Sequence, residues 1–397
     1  MQFAQRLQPL NQNVFADMDR AKAQARTAGK EILDLSLGSS DLPVAKPILD
    51  TIEKALGDRT TYGYNLFAST QFFREAIATW YENRYGIPLN PDTEVLPLIG
   101  SQEGTAHLPL AVMNPGDFAL LLDPGYPSHA GGVYLAGGQI YTLALTAENN
   151  YLPVFGDIPL AVVESAKMMV LSYPHNPTTA TAPLSFFQEA VDFCRQHDII
   201  LVHDFPYHDF VFEGTPQPSS ILQADKNKEL SIEFFTFSKS YNMGGFRTGF
   251  AIGNAAIIGA LRQVKAVVDF NQYRGIMQGA VAALECDRAI VDDTIKTFQN
   301  RRDAFVAALK NIGWSVPTPT ATMYVWAQLP EAWRDDSVKF ATELVAATGV
   351  AVSPGAGFGK SGEGYVRFAL VHDPDILQLA VQRLGDFLAT LRSSPTP

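Results

Sequence analysis

The chain has 397 residues, of which 47% are hydrophobic, and a formal net charge of -11. A chain of this length and composition can bury a large core and is expected to divide into two domains. The negative balance and the lack of a Lys/Arg-rich run argue against a nucleic-acid partner, because neutralising phosphates requires a clustered basic face. Two cysteines, Cys194 and Cys286, are too few for a disulfide framework.

The N-terminal sequence lacks the continuous apolar stretch of a signal peptide, and no later stretch approaches the length of a membrane span. Together with the few cysteines, this favours a cytoplasmic protein that does not bind a membrane.

Short apolar runs alternate with helical patterns in the first two thirds of the chain. The runs predict seven strands, at about 95–99, 118–122, 139–145, 168–172, 199–203, 234–237 and 249–252. Several are continuously apolar, as expected for a mostly parallel sheet covered by helices on both faces, and residues 184–197 have the spacing of such a helix. From about residue 280 the pattern changes to a long helix and two further strand-like runs.

We therefore predict an α/β fold with two domains. Residues 45–280 would form a large domain around a mostly parallel, seven-stranded sheet. Residues 1–44 and 281–397 would form a smaller α+β domain built from both termini.

One lysine follows an apolar strand and precedes a glycine-rich turn. Residues 235–250 read FTFSKSYNMGGFRTGF, with the lysine at position 239. A lysine in this position is partly withdrawn from water, which favours attack on an aldehyde, and the motif is typical of a lysine that binds pyridoxal phosphate. Ser238 and Arg247 would then hold the phosphate, although Lys beside Ser and Gly is also common in ordinary loops.

Polar residues follow several of the predicted strands, where ligands bind in a parallel sheet. Asp204 comes directly after the strand at 199–203 and could pair with the protonated pyridine nitrogen of the cofactor. Asn176 and Tyr207 could both hydrogen-bond the ring oxygen. Taken alone, Asp204 is better explained as a turn or helix-capping residue, and an Asn-Pro turn such as the one at Asn176 is common in loops.

Two further features suit the same cofactor. Ser101 and Gln102 open a predicted helix, and the free N–H groups of a helix N-terminus bind phosphate well. Tyr126 lies in a Pro-Gly-Tyr-Pro loop, where its ring could cover the cofactor face or simply pack against the protein.

Arg367 lies inside a strand-like apolar run near the C-terminus. A buried arginine needs an anionic partner, and its planar guanidinium suits the α-carboxylate of an amino acid. A structural salt bridge is the alternative.

Together these motifs resemble the class I and II aminotransferases, which have the fold-type I architecture of the aspartate aminotransferase superfamily. The resemblance extends over about 35–369. Its motifs, in the order of the family, lie at 100–104, 123–127, 176–178, 204–207, 238–239 with Arg247, 353–355 and Arg367. It implies pyridoxal phosphate as cofactor, no metal, and transfer of an amino group from an L-amino acid to a 2-oxo acid such as 2-oxoglutarate by a ping-pong mechanism.

The resemblance also implies a role for each candidate residue. Lys239 would bind the cofactor aldehyde and later move a proton at the substrate α-carbon. The implied cofactor contacts are Ser101, Gln102, Tyr126, Asn176, Asp204, Tyr207, Ser238, Lys239, Arg247 and Tyr64, and the implied substrate contacts are Gly38, Asn176 and Arg367. Tyr64 matches a tyrosine that reaches the phosphate of the second subunit, which implies a homodimer with shared active sites.

The sequence departs from the family at Ser69, where relatives commonly have a glycine. Ser69 lies in an unusual loop at 62–70 that helps to shape the substrate pocket. The nearest-looking branch contains diaminopimelate aminotransferases and related aspartate or alanine transaminases, and residues 100–132 resemble that branch.

Other functions stay open from the sequence alone. Carbon–sulfur β-lyases that use pyridoxal phosphate share this fold and most of these residues. A regulatory sensor built on an aminotransferase-like domain would need an added DNA-binding helix-turn-helix, for which the sequence before residue 35 has no room. A metal site at 203–209 is disfavoured, because a proline interrupts the helix that would align the ligands.

Overall fold

A computed structural model describes residues 3–11 and 14–392 of the chain. Twelve strands are formed within these ranges. They are β1 (Leu33–Asp34), β2 (Val95–Leu98), β3 (Phe118–Asp123), β4 (Gln139–Ala144), β5 (Ala166–Leu171), β6 (Ile200–Asp204), β7 (Ser231–Thr236), β8 (Gly249–Gly253), β9 (Tyr324–Gln328), β10 (Val350–Ala351), β11 (Ser353–Pro354) and β12 (Tyr365–Ala369).

Seven strands form the main sheet, in the order β2-β8-β7-β6-β5-β3-β4. The pairs from β7 through to β4 are parallel, whereas β8 runs antiparallel to both of its neighbours. All seven predicted strands are present, with ends that differ by a few residues from the sequence estimate. The predicted α/β fold with a mostly parallel sheet is therefore confirmed.

Helices cover both faces of this sheet. The α-helices of the described residues are α1 (Val14–Thr27), α2 (Lys46–Leu56), α3 (Gln71–Tyr85), α4 (Ser101–Val112), α5 (Pro127–Leu135), α6 (Leu160–Val163), α7 (Leu184–Gln196), α8 (Ala255–Val268), α9 (Arg274–Glu285), α10 (Ala289–Asn311), α11 (Ser337–Thr348) and α12 (Pro374–Arg392). The helix predicted at 184–197 corresponds to α7.

The buried side chains of each central strand divide between two apolar clusters, one on each side of the sheet. In β5, Met168 and Val170 belong to one cluster, while Met169 and Leu171 belong to the other. This division follows from the strand geometry, in which successive side chains point to opposite faces. It explains why these strands are continuously apolar in the sequence.

A smaller antiparallel sheet, in the order β11-β12-β9, is formed by the C-terminal part of the chain. The N-terminal part joins this region, because β1 pairs in parallel with β10 and α1 packs against α11. These contacts agree with a small unit built from both termini, although the domain limits at 44/45 and 280/281 stay a prediction. No α-helix of residues 3–11 and 14–392 has both the length and the apolar character needed to cross a bilayer.

Candidate active site

A cavity of about 1370 Å³ opens at the carboxyl ends of the parallel strands. Its floor is formed by residues that follow β3, β5, β6 and β7. One wall is formed by the N-terminal segment and α1, through Leu10, Phe15 and Met18. The predicted site residues that line it are Gly38, Ser101, Gln102, Tyr126, Asn176, Asp204, Tyr207, Ser238, Lys239, Arg247 and Arg367. The fold thus brings together every predicted site residue except Tyr64.

Lys239 lies three residues after the end of β7, in a turn that begins at the carboxyl edge of the sheet. Its ammonium group donates a hydrogen bond to the Gly38 carbonyl oxygen and lies 5.7 Å from the centroid of the Tyr207 ring. Within the described part of the chain, no carboxylate forms an ion pair with Lys239. The amine is therefore held in the cavity by a neutral group, which leaves it free to react with a ligand.

Asp204 is the last residue of β6 and is buried. Its Oδ2 atom lies 3.0 Å from Nε2 of His129, whereas its Oδ1 atom is buried without a hydrogen-bond partner. A buried carboxylate oxygen without a partner is costly unless a ligand donates to it. Oδ1 therefore suits the N–H group of a protonated pyridine ring.

His129 is a site residue that the sequence reading missed. It is the third residue of α5, which begins immediately after Tyr126, and the two rings make an edge-to-face contact with centroids 5.6 Å apart. The helical start after the Pro-Gly-Tyr-Pro loop is the only sequence signal for it. The start of α5 thereby places the Tyr126 ring and a partner for Asp204 next to each other in the cavity.

Asn176 and Tyr207 lie on the side of the cavity nearest to Arg367. Asn176 accepts a hydrogen bond from Arg367 Nη1 through its side-chain oxygen (2.8 Å), which leaves its amide N–H groups for a ligand. The Tyr207 hydroxyl lies 2.7 Å from the hydroxyl of Tyr324, which the sequence reading also missed. Both predicted residues can therefore act as donors into the cavity.

The N-terminus of α4 and Arg247 form a candidate anion site, and Ser238 lines the same cavity. Gly100 precedes α4 with a φ of 104° and has no side chain to cap the free N–H groups of the first turn. A Cβ atom at Gly100 would lie only 2.7 Å from Nη2 of Arg247, so a glycine lets the guanidinium approach the helix end. The helix dipole, the free N–H groups and the guanidinium together suit a phosphate.

A second group of charged residues lies on the far side of the same helix. Glu103, His107 and Asp269 bring possible metal-ligating atoms within 4.8 Å of one another. The buried Lys265 ammonium already donates to both Glu103 oxygens, at 2.8 and 2.9 Å, and to Asp269 at 3.3 Å. The Lys265 ammonium therefore already supplies the positive charge next to Glu103 and Asp269 that a metal ion would otherwise supply.

Arg367 lies in β12 and is only 6% exposed. Its guanidinium donates to the oxygens of Asn176, Ser36 and Ser353, all of them neutral, and its Nε atom has no partner. No carboxylate of residues 3–11 and 14–392 pairs with it. A buried cation held only by neutral groups is suited to a ligand carboxylate.

Tyr64 lies outside this cavity and is 94% exposed. The predicted role of Tyr64 at a second subunit requires such an outward position, and it stays a prediction. His203 and His208, considered above as metal ligands, are buried outside the cavity and contact Glu233 and Asp209.

Comparisons with known proteins agree with this geometry. A family model described as aminotransferase class I and II matches residues 30–384. An LL-diaminopimelate aminotransferase of Dehalococcoides mccartyi is 42% identical over 387 residues, which cover 98% of this chain and 99% of that protein. LL-diaminopimelate aminotransferase 2 of Trichormus variabilis is 41% identical and covers 97% and 98% of the two chains.

Among solved structures, a probable N-succinyldiaminopimelate aminotransferase from Thermus thermophilus superimposes with a TM-score of 0.89 and 42% identity, covering 94% of this chain and 99% of that one. Enzymes of this family depend on pyridoxal phosphate, and the unpartnered Asp204 Oδ1, the α4 anion site and the free Lys239 amine fit that cofactor. The chain belongs to the class I and II aminotransferase family and is a pyridoxal-phosphate-dependent aminotransferase.

Proposed function

We propose that this aminotransferase takes LL-diaminopimelate as amino donor and passes the amino group to a 2-oxo acid such as 2-oxoglutarate by a ping-pong mechanism. The names of the relatives that match almost the full chain support this donor. The cavity of about 1370 Å³ also exceeds what a small donor such as alanine would fill. The observation that best supports an amino-acid substrate is the environment of Arg367, a buried guanidinium whose hydrogen-bond partners are all neutral.

In this proposal the cavity residues divide into three groups. Asp204 accepts from the pyridine N–H, Asn176 and Tyr207 donate to the ring oxygen, and Tyr126 stacks on the ring. The phosphate is held by the first N–H groups of α4 at Ser101 and Gln102, by Ser238 and by Arg247. Arg367, Asn176 and the Gly38 backbone bind the substrate carboxylate.

Each group has a chemical task. When bound, pyridoxal phosphate supplies an electron sink that acidifies the substrate Cα–H bond and carries the amino group between the two half-reactions. Lys239 Nζ removes the proton from the substrate α-carbon as a general base, a task for which its position beside Gly38 and Tyr207 suits it. Arg367 fixes the carboxylate, so that the Cα–H bond is directed at this amine.

We also propose that the protein is a homodimer with shared active sites in the cytoplasm, with Tyr64 reaching the partner's phosphate. The support is an exposed apolar surface around Tyr64, formed by Tyr62, Leu66, Val267 and Val268 together with it. The two chain segments of this surface are joined by the hydrogen bond of the Asn271 side chain to the Asn65 carbonyl (2.9 Å). Contiguous exposed apolar residues of this kind mark interaction surfaces.

The function is tested by adding donors singly to the purified enzyme with pyridoxal phosphate. LL-diaminopimelate should abolish the visible absorbance band of the bound cofactor, and 2-oxoglutarate should restore it. Aspartate and alanine should react at least about 100-fold more slowly, because they leave part of the cavity unfilled. N-succinyldiaminopimelate is larger and should also react more slowly, because its second amino group is acylated and carries no charge. A faster reaction with one of these would overturn the donor, and release of pyruvate and ammonia would indicate a β-lyase.

The assignment of the lysine is tested by Lys239→Ala, with the exposed Lys310→Ala as matched control. Loss of the base should lower kcat by at least about 10⁴-fold, and the absorbance band of the lysine-linked cofactor should be replaced by that of the unlinked aldehyde. Lys310→Ala should keep the kcat and the absorbance band of the wild type. If Lys239→Ala kept the wild-type spectrum, another amine would be the reactive group.

A further inference from the structure

Tyr324 lies at the centre of the cavity, although no sequence motif pointed to it. It is the first residue of β9 and is almost fully buried. Its ring lies under the Arg367 guanidinium, with 4.2 Å between the ring centroid and Cζ. A Cβ atom at Gly38 would overlap the Tyr324 hydroxyl, so glycine at position 38 provides the space that this hydroxyl occupies.

The Tyr324 hydroxyl connects three groups of the proposed mechanism. It lies 2.7 Å from the Tyr207 hydroxyl, and it packs against Gly38, whose carbonyl oxygen accepts from Lys239. Its ring supports Arg367. A change at this one residue therefore affects the ring-oxygen donor, the anchor of the amine and the carboxylate site.

The direction of the hydrogen bond between the two phenols follows from a proton count. A hydroxyl has one proton to donate. If Tyr207 donates its proton to the cofactor ring oxygen, as proposed above, it can only accept from Tyr324. A donor that also accepts is strengthened by the second bond, because the two bonds polarise each other.

The charges around the two phenols favour the same direction. Burial by itself would raise the pKa of Tyr324, but the positive charges of Lys239 and Arg367 and the bond with Tyr207 lower it below its ordinary value. Burial, with the neighbouring Tyr324, raises the pKa of Tyr207 well above its ordinary value. Tyr126 is the other titratable group that faces Tyr324. The positive charges of Lys239 and Arg367 beside Tyr324 thus agree with Tyr324 as the donor of the pair.

We propose that Tyr324 is a positioning residue for transamination, whose hydroxyl donates to Tyr207 and strengthens its bond to the cofactor ring oxygen, while its ring holds the Arg367 guanidinium in place for the substrate carboxylate. This inference rests on the proposed assignment of Tyr207 to the ring oxygen. It assigns separate tasks to the hydroxyl and to the ring, which two substitutions can separate.

The hydroxyl is tested by Tyr324→Phe, with Tyr207→Phe and the double variant. Donation to an anionic ring oxygen favours the deprotonated chromophore. Tyr324→Phe should therefore raise the pH midpoint of the visible absorbance change of the bound cofactor by about 0.3 units, and Tyr207→Phe should raise it more. In the double variant the shift should equal that of Tyr207→Phe alone, because the effect acts through Tyr207.

Tyr85→Phe is the matched control, because the Tyr85 hydroxyl contacts Arg84 outside the cavity. It should leave the midpoint unchanged. An unchanged midpoint in Tyr324→Phe, or a full additional shift in the double variant, would overturn the inference while leaving the proposed function intact. If Tyr207→Phe itself caused no shift, the assignment of Tyr207 to the ring oxygen would fail first.

A second measurement uses the enzyme without cofactor. Ultraviolet absorbance of tyrosinate should show one phenol that ionises below the ordinary range, and this phase should be absent in Tyr324→Phe but present in Tyr85→Phe. Its persistence in Tyr324→Phe would assign the acidic phenol to another residue and contradict the electrostatic argument for Tyr324 as donor.

The ring is tested by Tyr324→Leu against Tyr324→Phe. The phenylalanine keeps the contact with Arg367, so the KM for the amino donor should stay within about two-fold of that of the wild type, whereas leucine should raise KM about ten-fold. Equal KM values for the two variants would show that the ring does not position Arg367.

Discussion

Two buried arginines of this chain differ in what surrounds them. Arg301, on α10, is 1% exposed and donates to Asp41 at 2.6 and 2.8 Å and to Asp373 at 3.0 Å. Arg367, 6% exposed, has only neutral oxygens around it. The first is a completed ion pair that joins α10 to the start of α12 and to the loop after Gly38. The second has only neutral partners, and in the proposed function the substrate supplies its carboxylate.

The comparison predicts that the same substitution acts on catalysis at one position and on stability at the other. Methionine keeps the volume of the arginine stem and removes its charge. In Arg367→Met the substrate carboxylate loses its partner, and kcat/KM should fall about 10³-fold, or about 4 kcal/mol. The unfolding free energy should change by less than about 1 kcal/mol, because no carboxylate of the protein loses a partner.

The measurements are steady-state kinetics with the amino donor and denaturant unfolding of the same preparations. Arg367→Lys keeps the charge but not the fork geometry, and should retain more activity than Arg367→Met. If Arg367→Met lost stability but kept its kcat/KM, Arg367 would be structural and the carboxylate would bind elsewhere.

Arg301→Met should reverse the pattern. Three charge-assisted hydrogen bonds are lost, and the free energy of unfolding should fall by about 2–3 kcal/mol. The effect is kept below that of a fully buried pair because the side chains of Asp41 and Asp373 are 39% and 81% exposed and can be solvated. Well below the melting temperature, kcat/KM should stay within a few-fold of the wild-type value. A large loss of kcat/KM in a stable protein would contradict the structural role.

A third buried basic residue, His175, differs from both arginines because the folded protein keeps it uncharged. His175 precedes Asn176, its Nδ1 atom lies 2.7 Å from the Thr178 hydroxyl, and its Nε2 atom has no partner. Burial, and then the nearby His129, lower the pKa of His175 to about 3. The folded protein therefore holds His175 neutral in the range where an unfolded histidine takes up a proton.

The sign of the pH effect follows from the proton count. Between the pKa of His175 in the unfolded state, about 6.5, and its lower pKa in the folded state, the unfolded state binds more protons. The contribution of His175 to stability is therefore complete above about pH 7.5 and falls by about 2 kcal/mol at about pH 5. His175→Gln should remove this loss. The loss is measured by urea unfolding of the wild type and His175→Gln at about pH 7.5 and about pH 5. If the difference in unfolding free energy between the two proteins did not change with pH, the prediction would be contradicted.

The sequence predicted the large sheet well, because each buried strand shows its apolar run locally. It also pointed to Lys239 and Asp204, which line the cavity, since each follows such a run in a recognisable motif. Tyr324 and His129 were missed. Tyr324 is one aromatic residue in an apolar strand, and only its meeting with Gly38 and Tyr207, distant in sequence, gives it a task.

The two arginines show the same limit. Only Arg367 was visible as an arginine in an apolar run, and the sequence could not tell which of the two would meet carboxylates, because Asp41 lies 260 residues from Arg301. Tyr64 marks a different limit, since its proposed task depends on a second copy of the chain.

The cavity wall contributed by α1 and the N-terminal segment bears on how such an enzyme changes its substrate. The chemistry depends on residues anchored to the sheet, whereas Leu10, Phe15 and Met18 contribute surface from outside it. In the proposed function, replacement of Leu10 alters the room for a donor side chain, whereas Phe15 packs against Phe358 beside Arg367 and Met18 is buried in the core. Gene duplication followed by drift at Leu10 would therefore give enzymes of new substrate range at little catalytic cost, and directed evolution of donor range should begin there.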